Sequence, residues 1–197
     1  MRVPVKEDDM SALRRRRILR HLALAVTLGA ATLPGATATA AEPGCQTVWG
    51  SLIKRQAPRA TGEVTDVRSG RHACYDRLVI DLGPGEQRPG FRVEYVDAVQ
   101  EPGSGAVVPL RGGARLRVIV QAPAYDEQGR PTYRPADKRE LADVSAYDAF
   151  RQVALAGTYE GATTLGVGVR ARLPMRVFTL ADADGGSRVV LDVAHQW

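Results

Sequence analysis

The chain has 197 residues, 44% of them hydrophobic and 25% charged, which is enough for one ordinary globular domain and too little for two comfortable ones. Its formal net charge of +5 comes from the front: the first 40 residues hold seven of the 27 basic and three of the 22 acidic residues, so 20 face 19 in the remainder. A nearly neutral body gives no argument for a nucleic-acid partner, and the sequence holds no nucleic-acid motif.

In chain order, the first element is an export signal. A basic stretch through RRRRILR, Arg14 to Arg20, precedes an apolar run from Leu22 to about Leu33, and GATATAA then supplies small residues suited to a peptidase. Cleavage is expected after Ala40. The arginines of Arg15-Arg16-Arg17-Ile18-Leu19-Arg20 fit a twin-arginine signal, and equally a Sec signal that follows the positive-inside bias. Leu22 to Ala41 approaches the ~20 residues of a membrane span, but Thr27, Gly29, Pro34 and Gly35 weaken that reading, so no stable membrane anchor is expected. Cys45 and Cys74 follow, the only cysteines in the chain. In an oxidising compartment they are expected to form a disulfide, which for a loop of this length contributes about 3 kcal/mol. Lipid attachment at Cys45 is not expected, because EPGC lacks the Leu-like and small residues that precede a lipidated cysteine. The expected organisation is a signal peptide over 1–40, an N-terminal extension over 41–60 and one domain over 61–197.

Apolar alternation then recurs in EVTDVR (Glu63 to Arg68), RLVIDL (Arg77 to Leu82), FRVEYVDAV (Phe91 to Val99), ARLRVIVQA (Ala114 to Ala122), TTLGVGVRA (Thr163 to Ala171), MRVFTLAD (Met175 to Asp182) and RVVLDVAH (Arg188 to His195). Turn chemistry separates them in GPGEQRPG, EPGSG, RGG and DADGG. YDAFRQVALAG, Tyr147 to Gly157, is read as an eighth strand preceded by a short helical turn. The expected fold is all-β, a β-sandwich of about seven to eight mostly antiparallel strands. Ala122 to Ser145 breaks the rhythm with three prolines and many charges, and so long a connection is usually functional or mobile.

Two of these runs place an aspartate among apolar residues, Asp81 in RLVIDL and Asp192 in RVVLDVAH, although aspartate is depleted in strands. Residues two apart share a face, so Leu78, Ile80 and Leu82 form one side and Arg77, Val79 and Asp81 the other. The second run splits likewise, with Val189, Leu191 and Val193 inside and Arg188, Val190 and Asp192 outside. If the two strands are antiparallel neighbours, Arg77 meets Asp192 and Arg188 meets Asp81, each pair worth ~0.2–1 kcal/mol. The aspartates are therefore expected to be scaffold and, with their arginines, more exposed than the apolar set.

Catalytic signatures are weak. Ser104 lies in Pro102-Gly103-Ser104-Gly105, a turn and not a nucleophile elbow. Beyond the signal only His72 and His195 remain as histidines, with no His-Glu-x-x-His, so no metal and no cofactor is expected. Paired carboxylates of a glycoside hydrolase are harder to exclude, and Asp81, Asp97, Asp192 and Glu160 are the candidates. Binding residues leave softer traces: Tyr125, Tyr133, Tyr147 and Tyr159 gather in or near irregular segments with Arg130, Arg134 and Glu160, a mixture that suits sugars or peptides. The expected binding set is Tyr125, Tyr133, Arg134, Tyr147, Tyr159 and Glu160. The same tyrosines would also serve simply to pin the long connection to the sandwich.

The segments CYDRLVIDLG, PGFRVEYVDAV, GSGAVVPLRGGARLRV, FRQVALAGTYEGATTLGVGVRARLPMRVFTL and SRVVLDVAH, in this order, resemble the AMIN-like secreted proteins and lipoproteins of bacteria. The resemblance implies a β-sandwich of the kind attached to the N-terminal side of cell-wall amidases, where it targets the enzyme to peptidoglycan, and it implies no catalytic residues. Only Gln196 and Trp197 follow His195, so a module without an amidase of its own is expected. The resulting expectation is an exported, monomeric, non-catalytic module associated with the cell wall, whose partner is a wall polymer such as peptidoglycan, or an envelope protein. The alternatives are a secreted carbohydrate-active hydrolase using paired carboxylates and a protein-interaction module acting on an envelope enzyme.

Overall fold

Where apolar side chains alternate with polar ones, a strand can bury one face and leave the other toward water. A computed structural model describes residues 44–45, 47–57, 62–85 and 89–197, and among these every regular element is a strand. The expected signal peptide lies outside the described residues. The strands are β1 (Lys54–Gln56), β2 (Val64–Arg71), β3 (Tyr75–Leu82), β4 (Phe91–Val96), β5 (Val99–Gln100), β6 (Val107–Val108), β7 (Ala114–Val120), β8 (Phe150–Tyr159), β9 (Ala162–Val169), β10 (Met175–Ala181) and β11 (Ser187–Ala194). All pairings are antiparallel, in a five-stranded sheet β1-β4-β7-β9-β8, a four-stranded sheet β10-β11-β3-β2 and a small β5-β6 hairpin.

The two large sheets share one core, which makes the molecule an all-β sandwich. Leu78, Ile80, Val189, Leu191 and Val193 from one sheet and Val93, Leu116, Val118, Leu165 and Val167 from the other are all fully buried in it. The eight long strands match the eight expected runs, whereas β1, β5 and β6 escape pattern reading because two or three residues carry no period. FRVEYVDAV, expected to be continuous, breaks after Val96, and β5 leaves the sheet to pair with β6.

That hairpin lies against the outer face of the five-stranded sheet, and two glycines of β9 make room for it. A Cβ on Gly166 would stand 2.8 Å from a methyl of Leu110, and one on Gly168 would stand 1.9 Å from the Arg111 carbonyl oxygen. Val99, Val108, Leu110, Ala154 and Ala156 form a second apolar cluster at this contact. Elsewhere on the same face, Glu94 lies between Arg92 and Arg117, and their hydrogen bonds pull its carboxyl down to about 2 against the cost of its burial.

The strands of Asp81 and Asp192 are antiparallel neighbours, with Arg77 opposite Asp192 and Arg188 opposite Asp81, in the expected register. Asp192, however, is fully buried, not exposed. The reason is β10, which flanks β11 on its other side: Arg77 Nε and Nη2 reach the two Asp192 oxygens at 2.7 and 2.9 Å, while Arg176 Nε reaches one of them at 2.8 Å. The second expected side-chain pair does not form. Asp81 instead binds Arg68 on β2 at 2.6 and 2.9 Å, and Arg188 turns to Asp182.

Before β8, a single turn closed by the Tyr147 N–H on the Val144 carbonyl (3.1 Å) stands where a helical turn was expected. Just after it, the buried Asp76 carboxylate of β3 accepts hydrogen bonds from the Ala149 and Phe150 N–H groups at 2.6 and 2.9 Å, fixing the entry of β8. The expected Cys45–Cys74 disulfide is present, with the two Cα atoms 5.1 Å apart. It ties the segment before β1 to the start of β3, so that Trp49 packs edge-on against Tyr75 at 5.7 Å and the Gly50 carbonyl accepts from the Met175 N–H at 2.8 Å.

Candidate functional site

β8 is an edge strand, and an edge presents backbone groups that need a partner. The long connection between β7 and β8 supplies some: Leu141 N–H donates to the Val153 carbonyl at 2.8 Å and Leu155 N–H to the Lys138 carbonyl at 2.7 Å. Its first part is a tight excursion in which the Asp126 carboxylate accepts from the Gln128 and Arg130 N–H groups and from Arg130 Nε. Thr132 closes the excursion through its N–H on Ala124 and its hydroxyl on Val64 of β2. The three prolines keep this path from becoming a helix.

Between the excursion and β8 a hollow of about 370 Å³ opens, lined by Tyr125, Tyr133, Arg134, Lys138, Leu155 and Thr158. A neighbouring hollow of about 470 Å³ shares Lys138, Leu155 and Thr158 and extends past Arg139 to the β5-β6 hairpin. The two hollows lie side by side along the edge of β8, with Lys138, Leu155 and Thr158 common to both linings, and together they are the groove beside β8. Arg134, Lys138 and Arg139 are exposed and have no ion-pair partner among the described residues. Tyr133 is half-buried against the main core, and burial together with the negative charge of Asp66 pushes its phenol up to about 12.

The structure thus brings Tyr125, Tyr133 and Arg134 together. The other three expected residues lie apart from the groove lining. Tyr159 and Glu160 are exposed on the β8-β9 turn, where Glu160 has φ 48°, and one hydrogen bond links this turn to the groove, from the Gly161 N–H to the Tyr125 hydroxyl at 3.2 Å. Tyr147 stacks on Phe150, hydrogen-bonds Ser69 on β2 at 2.9 Å and lines a different hollow with Asp148, Arg151, Arg170 and His195.

The candidate carboxylates do not assemble into a pair. Asp81 and Asp192 lie four strand positions apart in the register, roughly 13 Å at the rise of a strand, and each holds an arginine. Asp97 follows Val96, which ends β4 in the row of Gln152, whereas Glu160 lies eight residues further along the β8 chain than Gln152. Asp76, Asp148 and His195 do converge, with ligand-type atoms within 4.8 Å of one another. Asp76 takes two backbone N–H groups and His195 Nε2 at 2.9 Å, and Asp148 takes Arg71 at 2.7 Å. The cluster joins β3, β8 and the end of β11 as a hydrogen-bond network, with the Arg71 guanidinium on its exposed member, Asp148.

The sandwich and its hairpin cover the span that the AMIN-like domain family matches, residues 62–195. The chain belongs to the AMIN-like domain family. No curated protein and no solved structure matches it. Membership makes it a module of the envelope-associated type, and the oxidised cysteines of this AMIN-like domain suit an extracytoplasmic compartment. The groove lies wholly within the matched span, while Cys45, Trp49 and β1 precede it.

Pattern reading missed Lys138, Arg139 and Leu155, which reach the groove of the AMIN-like domain only because the connection folds back on β8. It also missed an outer-face cluster of Trp49, Tyr75, Arg77, Arg176 and Phe178. A signal for the latter was present: Tyr75 with Arg77, and Arg176 with Phe178, are two apart and so share a face.

Proposed function

We propose that this AMIN-like domain is an exported, non-catalytic module that binds a polymer of the cell wall, peptidoglycan or another, through the groove beside β8. The organisation that goes with it is a signal peptide over 1–40, an extension over 41–60 and the binding domain over 61–197. The observation that carries the reading is the groove lining, in which the rings of Tyr125 and Tyr133 stand with the exposed cations Arg134 and Lys138. Tyrosine rings accept the apolar faces of sugars, and exposed cations attract the carboxylates of wall peptides. Salt then weakens binding only in part, because stacking is not screened.

Sedimentation of the chain lacking residues 1–40 with purified cell wall tests this. Replacing Arg134 and Lys138 together with alanine is expected to lower the bound fraction at least about fivefold, and Tyr159→Ala to lower it less, with melting temperatures within about 2 °C of the parent. These residues are exposed, whereas Tyr133 packs on the core and its removal would confound folding with binding. Undiminished sedimentation of the Arg134/Lys138 double variant would falsify the assignment.

A further inference from the structure

The outer face of the four-stranded sheet can be laid out from its register as rows running β10, β11, β3, β2. One row is Leu180, Arg188, Asp81, Asp66; the next is Phe178, Val190, Val79, Arg68; the third is Arg176, Asp192, Arg77, Gly70. In the third row two guanidiniums share one fully buried carboxylate, so one positive charge is left over. Lys54, whose ammonium rests on the Trp49 carbonyl at 2.8 Å, adds another nearby. The other acids of this face stand in the first row or beyond it, roughly 13 Å or more away along the strands, where Asp81 is taken by Arg68 and Asp182 by Arg188.

Aromatic rings hold both guanidiniums in place. The Arg176 guanidinium carbon lies 4.4 Å from the Trp49 ring centre, 5.3 Å from that of Phe178 and 5.5 Å from that of Tyr75. For Arg77 the distances are 5.2 Å to Tyr75 and 5.6 Å to Phe178. His72 stacks on Tyr75 at 4.4 Å and steadies it. The Asp192 carboxylate uses Nε and Nη2 of Arg77 but only Nε of Arg176, so both Nη groups of Arg176 and Nη1 of Arg77 have no partner among the described residues. Side-chain exposures of 41% for Arg176 and 25% for Arg77 keep these donors reachable. Beside Arg77 in the row, Gly70 puts no side chain in the way.

We propose that this face is an oxyanion-binding site, in which Arg77 and Arg176, anchored on buried Asp192 and clasped by Trp49, Tyr75 and Phe178, receive a carboxylate or phosphate group carried by an envelope polymer. The chemistry is that of paired guanidiniums donating parallel N–H bonds to a planar or tetrahedral oxyanion. Their orientation is set before the ligand arrives, which lowers the ordering cost of binding. The cluster also rivets the segment around Trp49 to the sheet, but that task alone needs neither the second guanidinium nor its unused donors. The site is separate from the groove, and the two assignments stand or fall independently.

The test is a titration of the isotope-labelled chain lacking residues 1–40, followed by backbone amide shifts, with N-acetylglycine as the carboxylate probe, glycerol phosphate as the phosphate probe and glycerol as the uncharged control. Saturable shifts around Gly70, Tyr75 and Arg176 are expected with at least one anion at a Kd of about 1–10 mM and none with glycerol. The tighter anion identifies the group. Arg176→Gln is expected to weaken binding at least about fivefold, while the groove variant Arg134→Ala leaves it unchanged. If Arg176→Gln fails to fold, Arg176→Lys, which keeps the charge and loses the paired donors, is expected to show the same loss in smaller degree. Absence of saturable shifts with both anions, or equal affinity in the Arg176 variants, overturns the proposal.

Discussion

Asp81 and Asp192 occupy equivalent places in the same Arg-apolar-Val-apolar-Asp pattern, yet their surroundings differ by a whole strand. Asp81 keeps 20% of its side-chain surface in water beside an Arg68 that is half exposed, so the pair is a surface salt bridge. Asp192 has no exposed surface and carries three hydrogen bonds from two arginines. Removing its charge leaves two guanidiniums facing each other across a neutral amide. Asp192→Asn is therefore expected to cost about 3 kcal/mol in urea unfolding, against less than about 1 kcal/mol for Asp81→Asn. Equal losses would mean that the depth of Asp192 in the fold counts for nothing.

At the scale of elements, the hairpin of β5 and β6 depends on β9 having no side chains beneath it. Gly168 meets the backbone of Arg111, which cannot rotate away as a side-chain tip can. Gly168→Ala is expected to destabilise the domain by about 2 kcal/mol or more and to release the hairpin, seen as faster amide exchange at Val99 and Val108. Gly70→Ala is the matching control, since its new methyl would meet only the His72 ring at 3.7 Å, an ordinary contact, and a change within about 0.5 kcal/mol is expected. A hairpin that keeps its protection in Gly168→Ala would show that it does not rest on β9. The same element logic explains the groove: Tyr125, Tyr133 and Arg134 are close in sequence and were legible as a set. Leu155 and Thr158 join them because an edge strand draws the connection back over itself.

For the whole molecule, the disulfide joins the segment before β1 to the start of β3, an inner strand of its sheet. Cys45 and Cys74 are 29 residues apart, and opening the bond frees that loop in the unfolded chain at a cost of about 3 kcal/mol. It also releases the tether that keeps Trp49 over Arg176. Reduction, or replacement of both cysteines by serine, is expected to lower the melting temperature by several degrees, roughly 5–10 °C, and to shift tryptophan emission as Trp49 leaves its ring neighbours. Unchanged emission after complete reduction would show that β1 and the Gly50 contact alone seat Trp49.

What the sequence by itself determined is the part that depends on period. Side chains alternate along a strand whatever the fold, so the eight long strands, the buried sets Leu78-Ile80-Leu82 and Val189-Leu191-Val193, and the parity that faces Arg77 to Asp192 could all be read from order alone. The lone cysteine pair was legible for the same reason, having one possible partner each. Tertiary structure decided whatever needed a third element. Asp192 is buried because β10 closes on β11, Tyr147 left the other tyrosines because Ser69 lies across from it, and Trp49 meets Arg176 because the segment before β1 is carried over the sheet. Two strands can be matched by their patterns, but which side a third one takes is set by packing energy summed over the whole core, and no local stretch records that sum.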